Sequence, residues 1–377
     1  VTGPTEPVPA PLRWLTSEGG TRPDDPTAPY AARIAGVGRH LPPTVLTTAE
    51  LMASTRHRTR IDLERLTGIH ERRVSTGDED TLSLATAAAA DCLAHVPVAA
   101  ADLDVVVSCS ITKYRDGLVQ WLEPTTASAV ARAIGATGAI TFDLSNACAG
   151  MLTGVFVLNN WIRTGQVRRG LVVSGEYISQ LGRNAARHVR SVLSPELASL
   201  TLGDAGAAVL LDRAGPGQPG ITVAAFTTVA DHSRLCLAYP ADDAPGARMF
   251  TKARAIHQVA IADTPTVLRE VLDAAGLEVP DIDHVIPHQT SARAIRTGAR
   301  KVGEALGSDP VPPVVTVDHY GNTASTTHFV ALADELSAGR VRAGDRVALF
   351  AQASGLELGV VLATVDDELV ASCGHDD

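Results

Sequence analysis

The feature that most constrains this chain is a strand that runs through a turn of small residues into an apolar helix. Ala139-Ile140-Thr141-Phe142-Asp143-Leu144 reads as a short buried strand and Ser145 to Gly150 as a tight turn. Met151 to Ile162 reads as a helix, stopped at Thr164-Gly165. The helix is apolar on nearly every side, which marks a buried element. Cys148 sits where the helix begins. A thiol there faces unpaired backbone N–H groups and the positive end of the helix dipole, and both favour thiolate. The segment alone leaves two readings open, a nucleophile and a plain core cysteine.

With 377 residues the chain is too long for one small core, so two domains or one duplicated unit are expected. Residues 1–30 are rich in Pro, Gly, Thr and Asp without periodicity and read as a flexible leader. A first α/β half is expected over 31–213. It has strands at Ala32–Gly38, Asp104–Ser108, Leu171–Ser174 and Ala207–Leu211, an Ala-rich helix at Leu82–Leu93, and a helix start capped by Thr47 or Thr48. A Gly/Pro linker at 214–220 follows.

The second half, 221–377, repeats the logic. A strand (Ile221–Thr227), a long helix (Lys252–Ala275), a strand at His284-Val285-Ile286 and a helix (Ser291–Val302) lead to a strand at Val314–Val317. After it come a turn at Asp318–Asn322, a helix over Thr323–Leu336 and a strand at Val347–Phe350. This order matches the unit around Cys148 and puts Asn322 at the place Cys148 holds.

Composition excludes several classes. No apolar run is long enough to span a bilayer, and the N-terminus lacks the basic-then-apolar order of a signal peptide, so a cytoplasmic protein with no membrane partner is expected. The net charge of −10 gives no basic footprint for nucleic acid, although arginines cluster at 183–190 and 293–300. Five cysteines without CxxC spacing indicate neither a disulfide framework nor a metal site.

Three polar residues stand at helix starts or post-strand turns: Cys148, His288 in Pro287-His288-Gln289, and Asn322 in Tyr320-Gly321-Asn322-Thr323. Ligands of open α/β sheets collect beyond the carboxyl ends of strands. A cysteine, a base and an amide suit thioester chemistry. The histidine can take the thiol proton as the sulfur attacks an acyl group, and His288 and Asn322 as neutral donors can then stabilise an enolate.

These motifs, with Asn146-Ala147-Cys148-Ala149-Gly150, Leu202-Gly203-Asp204-Ala205-Gly206 and Thr67-Gly68-Ile69-His70-Glu71-Arg72-Arg73, resemble in order and spacing the ketoacyl-acyl-carrier-protein synthase III branch of the thiolase superfamily. The resemblance covers residues 31–365. It implies an α/β fold of five αβαβα layers in two similar halves and a homodimer. It also implies Cys148 as acyl acceptor, His288 and Asn322 as condensation pair, and an oxyanion hole from the backbone N–H groups of Cys148 and Ser354. Arg293 matches a position that often contacts the carrier protein or pantetheine. No cofactor is implied beyond the acyl-coenzyme A or acyl-carrier-protein thioester substrates, and no metal.

Departures narrow the resemblance. Asp62 and Leu66 stand where the family places an adenine-clamping tryptophan and arginine, which shifts weight to a carrier-protein-bound donor. Glu123, in Trp121-Leu122-Glu123-Pro124, occupies a loop that in the family crosses into the partner's acyl pocket. The chain thereby looks most like the non-decarboxylating sub-branch, the head-to-head thiolases and pyrone-forming ketosynthases. There a glutamate takes the α-proton of the second acyl chain, and a carboxylate buried among acyl chains would be the stronger base. The expected function is an acyltransferase that loads Cys148 and joins its acyl group to a second acyl thioester by Claisen condensation, in lipid or secondary metabolism. Transfer to an oxygen or nitrogen acceptor is the alternative, and a non-catalytic partner subunit a third. Glu176 reads as a packing or interface carboxylate and Asp204 as a turn stabiliser, while His319 and His328 are given no role.

Overall fold

The computed structural model describes residues 30–373, so the expected leader lies outside them except for Tyr30. Nine main strands make two mixed sheets. The first contains β1 (Ala32–His40), β2 (Val105–Ser108), β3 (Ile140–Asp143), β4 (Arg169–Glu176) and β5 (Ala205–Arg213), in the order β1-β5-β4-β2-β3. The second contains β6 (Ile221–Thr228), β7 (His284–Pro287), β8 (Arg346–Ala353) and β9 (Glu357–Thr364), in the order β6-β9-β8-β7. In each sheet the first strand pairs antiparallel with the last, and the two strands that follow in spatial order run parallel to each other. The loop 214–220 joins β5 to β6.

Six helices fill the layers: α1 (Thr81–Ala94), α2 (Thr126–Ile134), α3 (Gly150–Arg163), α4 (Ala253–Ala275), α5 (Ala292–Leu306) and α6 (Thr327–Ser337). α1 and α2 cover the outer face of the first sheet, and α4, with α5 against it, covers the outer face of the second. α3 and α6 lie between the sheets, touching both, which gives five layers, αβαβα. The apolar circumference of α3 is thus explained: Met151, Leu152, Val155, Leu158 and Ile162 are all buried in the inter-sheet core.

Local chemistry fixes the element ends. Asp80 caps α1 in a reciprocal box with Ser83, Thr125 caps α2, which stops at left-handed Gly135, and Thr47 caps a short helix over Thr48–Ala53 with Glu50 closing the box. The run Val105-Val106-Val107 is buried on both faces, as a parallel strand with helices on either side must be. α4 continues through Pro265, which sits buried within it.

One expected strand is absent. Val314–Val317 is β-branched, but Pro310, Pro312 and Pro313 before it cannot donate to a ladder, and only an isolated bridge links Pro313 to Val285. The N–H groups of Thr316 and Val317 instead donate to Gln289 Oε1 at 2.9 and 3.2 Å, and Val317–Tyr320 turns into one helical turn. Among the described residues no helix is long and apolar enough to cross a membrane.

Candidate active site

Cys148 lies in a 3-10 turn, Ala147–Ala149, that leads into α3. Ala147 has φ 44°, a left-handed conformation that costs an alanine about 1 kcal/mol or more. Gly150 sits close under the neighbouring loop: a Cβ there would stand 3.0 Å from the Cys109 carbonyl oxygen, tighter than most such contacts. The second half contains the same device. Ala324 has φ 55° and opens the 3-10 turn Ala324–Thr326, which leads into α6. Aligning the two turns on their strained alanines puts Ser325, not Asn322, at the place of Cys148. The expectation from sequence is three residues off because the missing strand and the extra helical turn shift the register.

Three segments converge near the carboxyl end of β8. The Ala147–Ala149 turn packs against β8 and against the Ala324–Thr326 turn. His288 follows β7, and its backbone N–H donates to the Phe350 carbonyl of β8 at 2.8 Å. Asn322 immediately precedes the Ala324 turn. Its backbone N–H donates to Thr201, its carbonyl accepts from Gly203, and its Oδ1 accepts from Ala324 N–H at 2.9 Å, which leaves Nδ2 as the donor end of the amide. Gly203 and Gly321 permit this close pairing of loops. A Cβ on Gly203 would lie 2.2 Å from the Tyr320 carbonyl, and Gly321 has φ 71°. The buried guanidinium of Arg72 braces the same place, donating to the Leu200 carbonyl and to Thr48 Oγ1.

The electrostatics correct one expectation. Cys148 is partly exposed as a residue, but protein packed around its thiol pushes the thiol well above the ordinary cysteine value, and Cys236 and Glu176 push it the same way. Burial of this kind favours the neutral thiol, against the pull of the helix start toward thiolate. His288, 6% exposed, is held down to about 3 by burial and by the neighbouring His328 and His257, and it is neutral near pH 7. Its Nδ1 is buried with no hydrogen-bond partner among the described residues. A neutral imidazole can take a thiol proton during attack, with no ion pair required beforehand.

His328, given no role from sequence, lies beside His288, with ring centroids 6.0 Å apart, and its Nε2 bonds the same Phe350 carbonyl at 3.0 Å. Burial holds it down to about 4. Glu176, read from the sequence as a packing or interface carboxylate, is a packing one. This fully buried carboxyl at the end of β4 accepts from Ile111 N–H at 2.9 Å, from Thr112 N–H and Oγ1, and from Ser325 Oγ; burial raises it to about 7. Ser174 Oγ joins Ser325 Oγ at 2.8 Å. Asp204 does more than steady its own turn: its buried carboxylate gathers Ser75 N–H, Ile178 N–H, Ser179 N–H and Ser179 Oγ within 2.6–2.8 Å.

The other expected residues lie outside this convergence. Ser354 is in the β8–β9 turn, directly after the strand that the Cys148 turn touches. Arg293 is exposed at the start of α5 and donates to the Arg65 carbonyl at 2.7 Å. Glu123 is exposed on the loop before α2, its carbonyl accepting from Trp121 Nε1. Leu122 beside it is 75% exposed, and the loop stands open on the surface of the single subunit.

Residues 142–232 match the 3-oxoacyl-(acyl-carrier-protein) synthase III family, and residues 272–365 match the C-terminal part of the same family. The chain is 31% identical over 339 residues to the beta-ketoacyl-(acyl-carrier-protein) synthase III of Rhodospirillum centenum, covering 89% of this chain and 99% of that one. Among solved structures it is similar to 3-oxoacyl-(acyl-carrier-protein) synthase III from Aquifex aeolicus, with TM-score 0.75, 27% identity, and 89% and 100% of the two chains covered. Xanthomonas campestris OleA shares the fold, with TM-score 0.77, 24% identity, and 89% and 98% covered. With the five-layered fold and a cysteine turn in the matched region, the chain belongs to the 3-oxoacyl-(acyl-carrier-protein) synthase III family of the thiolase superfamily.

Proposed function

We propose that this protein is a homodimeric condensing enzyme that uses Cys148 as acyl carrier. An acyl thioester, of coenzyme A or of an acyl carrier protein, is attacked by Cys148 Sγ. The new C–S bond replaces the old one, and the thiol proton passes by way of His288 to the departing thiolate. A second acyl thioester then loses an α-proton to a base, and its carbanion, with the enolate oxygen held by His288 and Asn322, attacks the Cys148 acyl carbonyl. Cys148 leaves as thiolate and a β-ketoacyl thioester is released. Backbone N–H groups of Cys148 and Ser354 hold the tetrahedral oxyanion, and Arg293 contacts the carrier arm. The observation that carries the reading is the packing of the Cys148 turn against β8 and against the Ala324 turn that follows Asn322, with His288 bonded through its backbone N–H to β8 and its imidazole neutral.

The base is Glu123 of the partner subunit, which places the reaction in the non-decarboxylating class. Two features support a second copy there. β3 is the outer strand of the first sheet, with Ile140 59% exposed, and the Glu123 loop presents Leu122 to solvent. Intact mass after incubation with an acyl thioester is expected to show one acyl adduct per subunit, absent in Cys148→Ala. A Glu123→Ala dimer is expected to form the adduct yet lose deuterium exchange at the α-carbon of the second substrate and lose product. Condensation at the wild-type rate in Glu123→Ala removes Glu123 from the reaction, and absence of any adduct in the wild type overturns the whole reading.

A further inference from the structure

Two imidazoles from different elements meet at one carbonyl of β8. His288 follows β7, and His328 is the second residue of α6, which packs against that strand. Their ring centroids lie 6.0 Å apart. The Phe350 carbonyl takes the backbone N–H of His288 at 2.8 Å and Nε2 of His328 at 3.0 Å. A carbonyl oxygen only accepts, so Nε2 of His328 carries the hydrogen, and in a neutral ring Nδ1 is then a bare lone pair. Complete burial keeps that ring neutral near pH 7. The tautomer of His328 is thereby fixed by the fold.

Nδ1 of His288 and Nδ1 of His328 are both buried without a hydrogen-bond partner among the described residues. For His288 this matters, because a ring that carries the thiol proton is protonated on both nitrogens. Burial already works against that cation, and leaving its second N–H unpaired adds a further desolvation penalty. Two hydrogen bonds in series through one water span about 6 Å, which matches the spacing of the two rings. His257 of α4 also acts on His288 electrostatically, but it is only half-buried.

We propose that His328 is a positioning residue for His288: its bare Nδ1 holds one water molecule, and that water accepts the Nδ1–H of His288 while His288 carries the thiol proton. The assignment rests on the acyl-transfer reading above. The proton arrives at Nε2 of His288 as the Cys148 S–H bond breaks, and it leaves from Nε2 to the departing thiolate. Nδ1 of His288, the water and His328 gain and lose no proton. In the condensation step, where Nε2–H of His288 is the donor to the enolate, the same water turns its second hydrogen to the bare Nδ1.

Two substitutions separate this role from a merely structural one. His328→Asn places an amide near the position of Nδ1 and gives up the Phe350 bond. His328→Gln reaches the position of Nε2, keeps that bond and gives up the acceptor. Acylation of Cys148, followed by intact mass against time, is expected to slow about tenfold or more in His328→Gln and to stay within about threefold of wild type in His328→Asn. The reverse order shows that His328 only anchors the β8 carbonyl, and the proposal fails. Equal rates in the two variants, fast or slow, overturn it as well.

The second arm needs no turnover. Nitrogen-15 NMR of histidine-labelled protein, assigned with His288→Gln and the two variants, is expected to show His328 as Nε2–H with bare Nδ1 from about pH 5 to about pH 8. The protonated fraction of His288 Nδ1 is expected to change in His328→Gln and to hold in His328→Asn. A protonated Nδ1 on His328 overturns the assignment. A wild type that never acylates Cys148 defeats the acyl-transfer reading, while the spectra still decide whether His328 supports His288.

Discussion

The two 3-10 turns that feed the central helices are built alike and used differently. Each opens on an alanine forced to positive φ, Ala147 and Ala324, and each delivers the next residue to the junction between the halves. The first delivers Cys148, a residue partly exposed and with apolar neighbours. The second delivers Ser325, fully buried in a polar knot with Glu176 and Ser174. One backbone device thus provides the proposed attacking atom in one half and a brace in the other. Access decides which, since a nucleophile needs an approach route and a brace needs its polar atoms paired.

Exchanging the two side chains breaks the comparison most severely. Cys148→Ser combined with Ser325→Cys keeps both atom types in the molecule but encloses the sulfur. Acyl adduct is expected to fall below roughly one hundredth of wild type by intact mass, in line with loss of an activated nucleophile. An adduct mapped to residue 325 would show that the second turn is as open as the first.

The next effect is on stability. Glu176 in the native protein is raised from about 4.5 to about 7, so between those values the folded state keeps a proton that the unfolded chain has released. Stability from this group is therefore present in full below about 4.5, falls as pH rises through the window and is flat above about 7. Glu176→Gln removes the titration while keeping the shape. The difference in urea unfolding free energy between wild type and variant is expected to drift against the wild type by on the order of 3 kcal/mol across that range. A difference that does not move with pH would mean the carboxyl is ionised throughout.

The smallest effect tests the shared strain. Ala324→Gly relieves a left-handed alanine and is expected to stabilise by about 1 kcal/mol, offset in part by the greater freedom of glycine in the unfolded chain. Ala147→Gly should give a similar gain in thermal midpoint together with slower acylation, because the same torsion aims Cys148. Equal acylation in Ala147→Gly and wild type would separate the strain from the chemistry.

Much of the fold is legible in the sequence, because its signals are local. Valine runs buried on both faces, capping boxes at Thr47 and Asp80, and the apolar circumference of α3 all follow from neighbours in the chain. Cys148, His288 and Asn322 stand out as candidates for the same reason, each sitting in a turn beside a recognisable helix or strand. What escaped depends on distant partners. Val314–Val317 reads as a strand until the Gln289 side chain, which takes two of its N–H groups, is known. Ser325 has no signal of its own, since nothing in an alanine announces positive φ. The state of the Cys148 thiol depends on what is packed around it, which the helix-start pattern cannot report. Glu123 has its setting decided by a surface that one subunit lacks.

Asp204 has a consequence beyond its local bonds. A single carboxylate is shared by Ser75 from one loop and by Ile178 and Ser179 from the segment after β4, while the loop that carries Asp204 itself holds Asn322 through Gly203 and Thr201. Four stretches far apart along the chain are thereby tied at one knot, and slack introduced into any of them is passed to the amide at the catalytic end. The precision of the carboxamide is in this sense rented from residues that never meet the substrate.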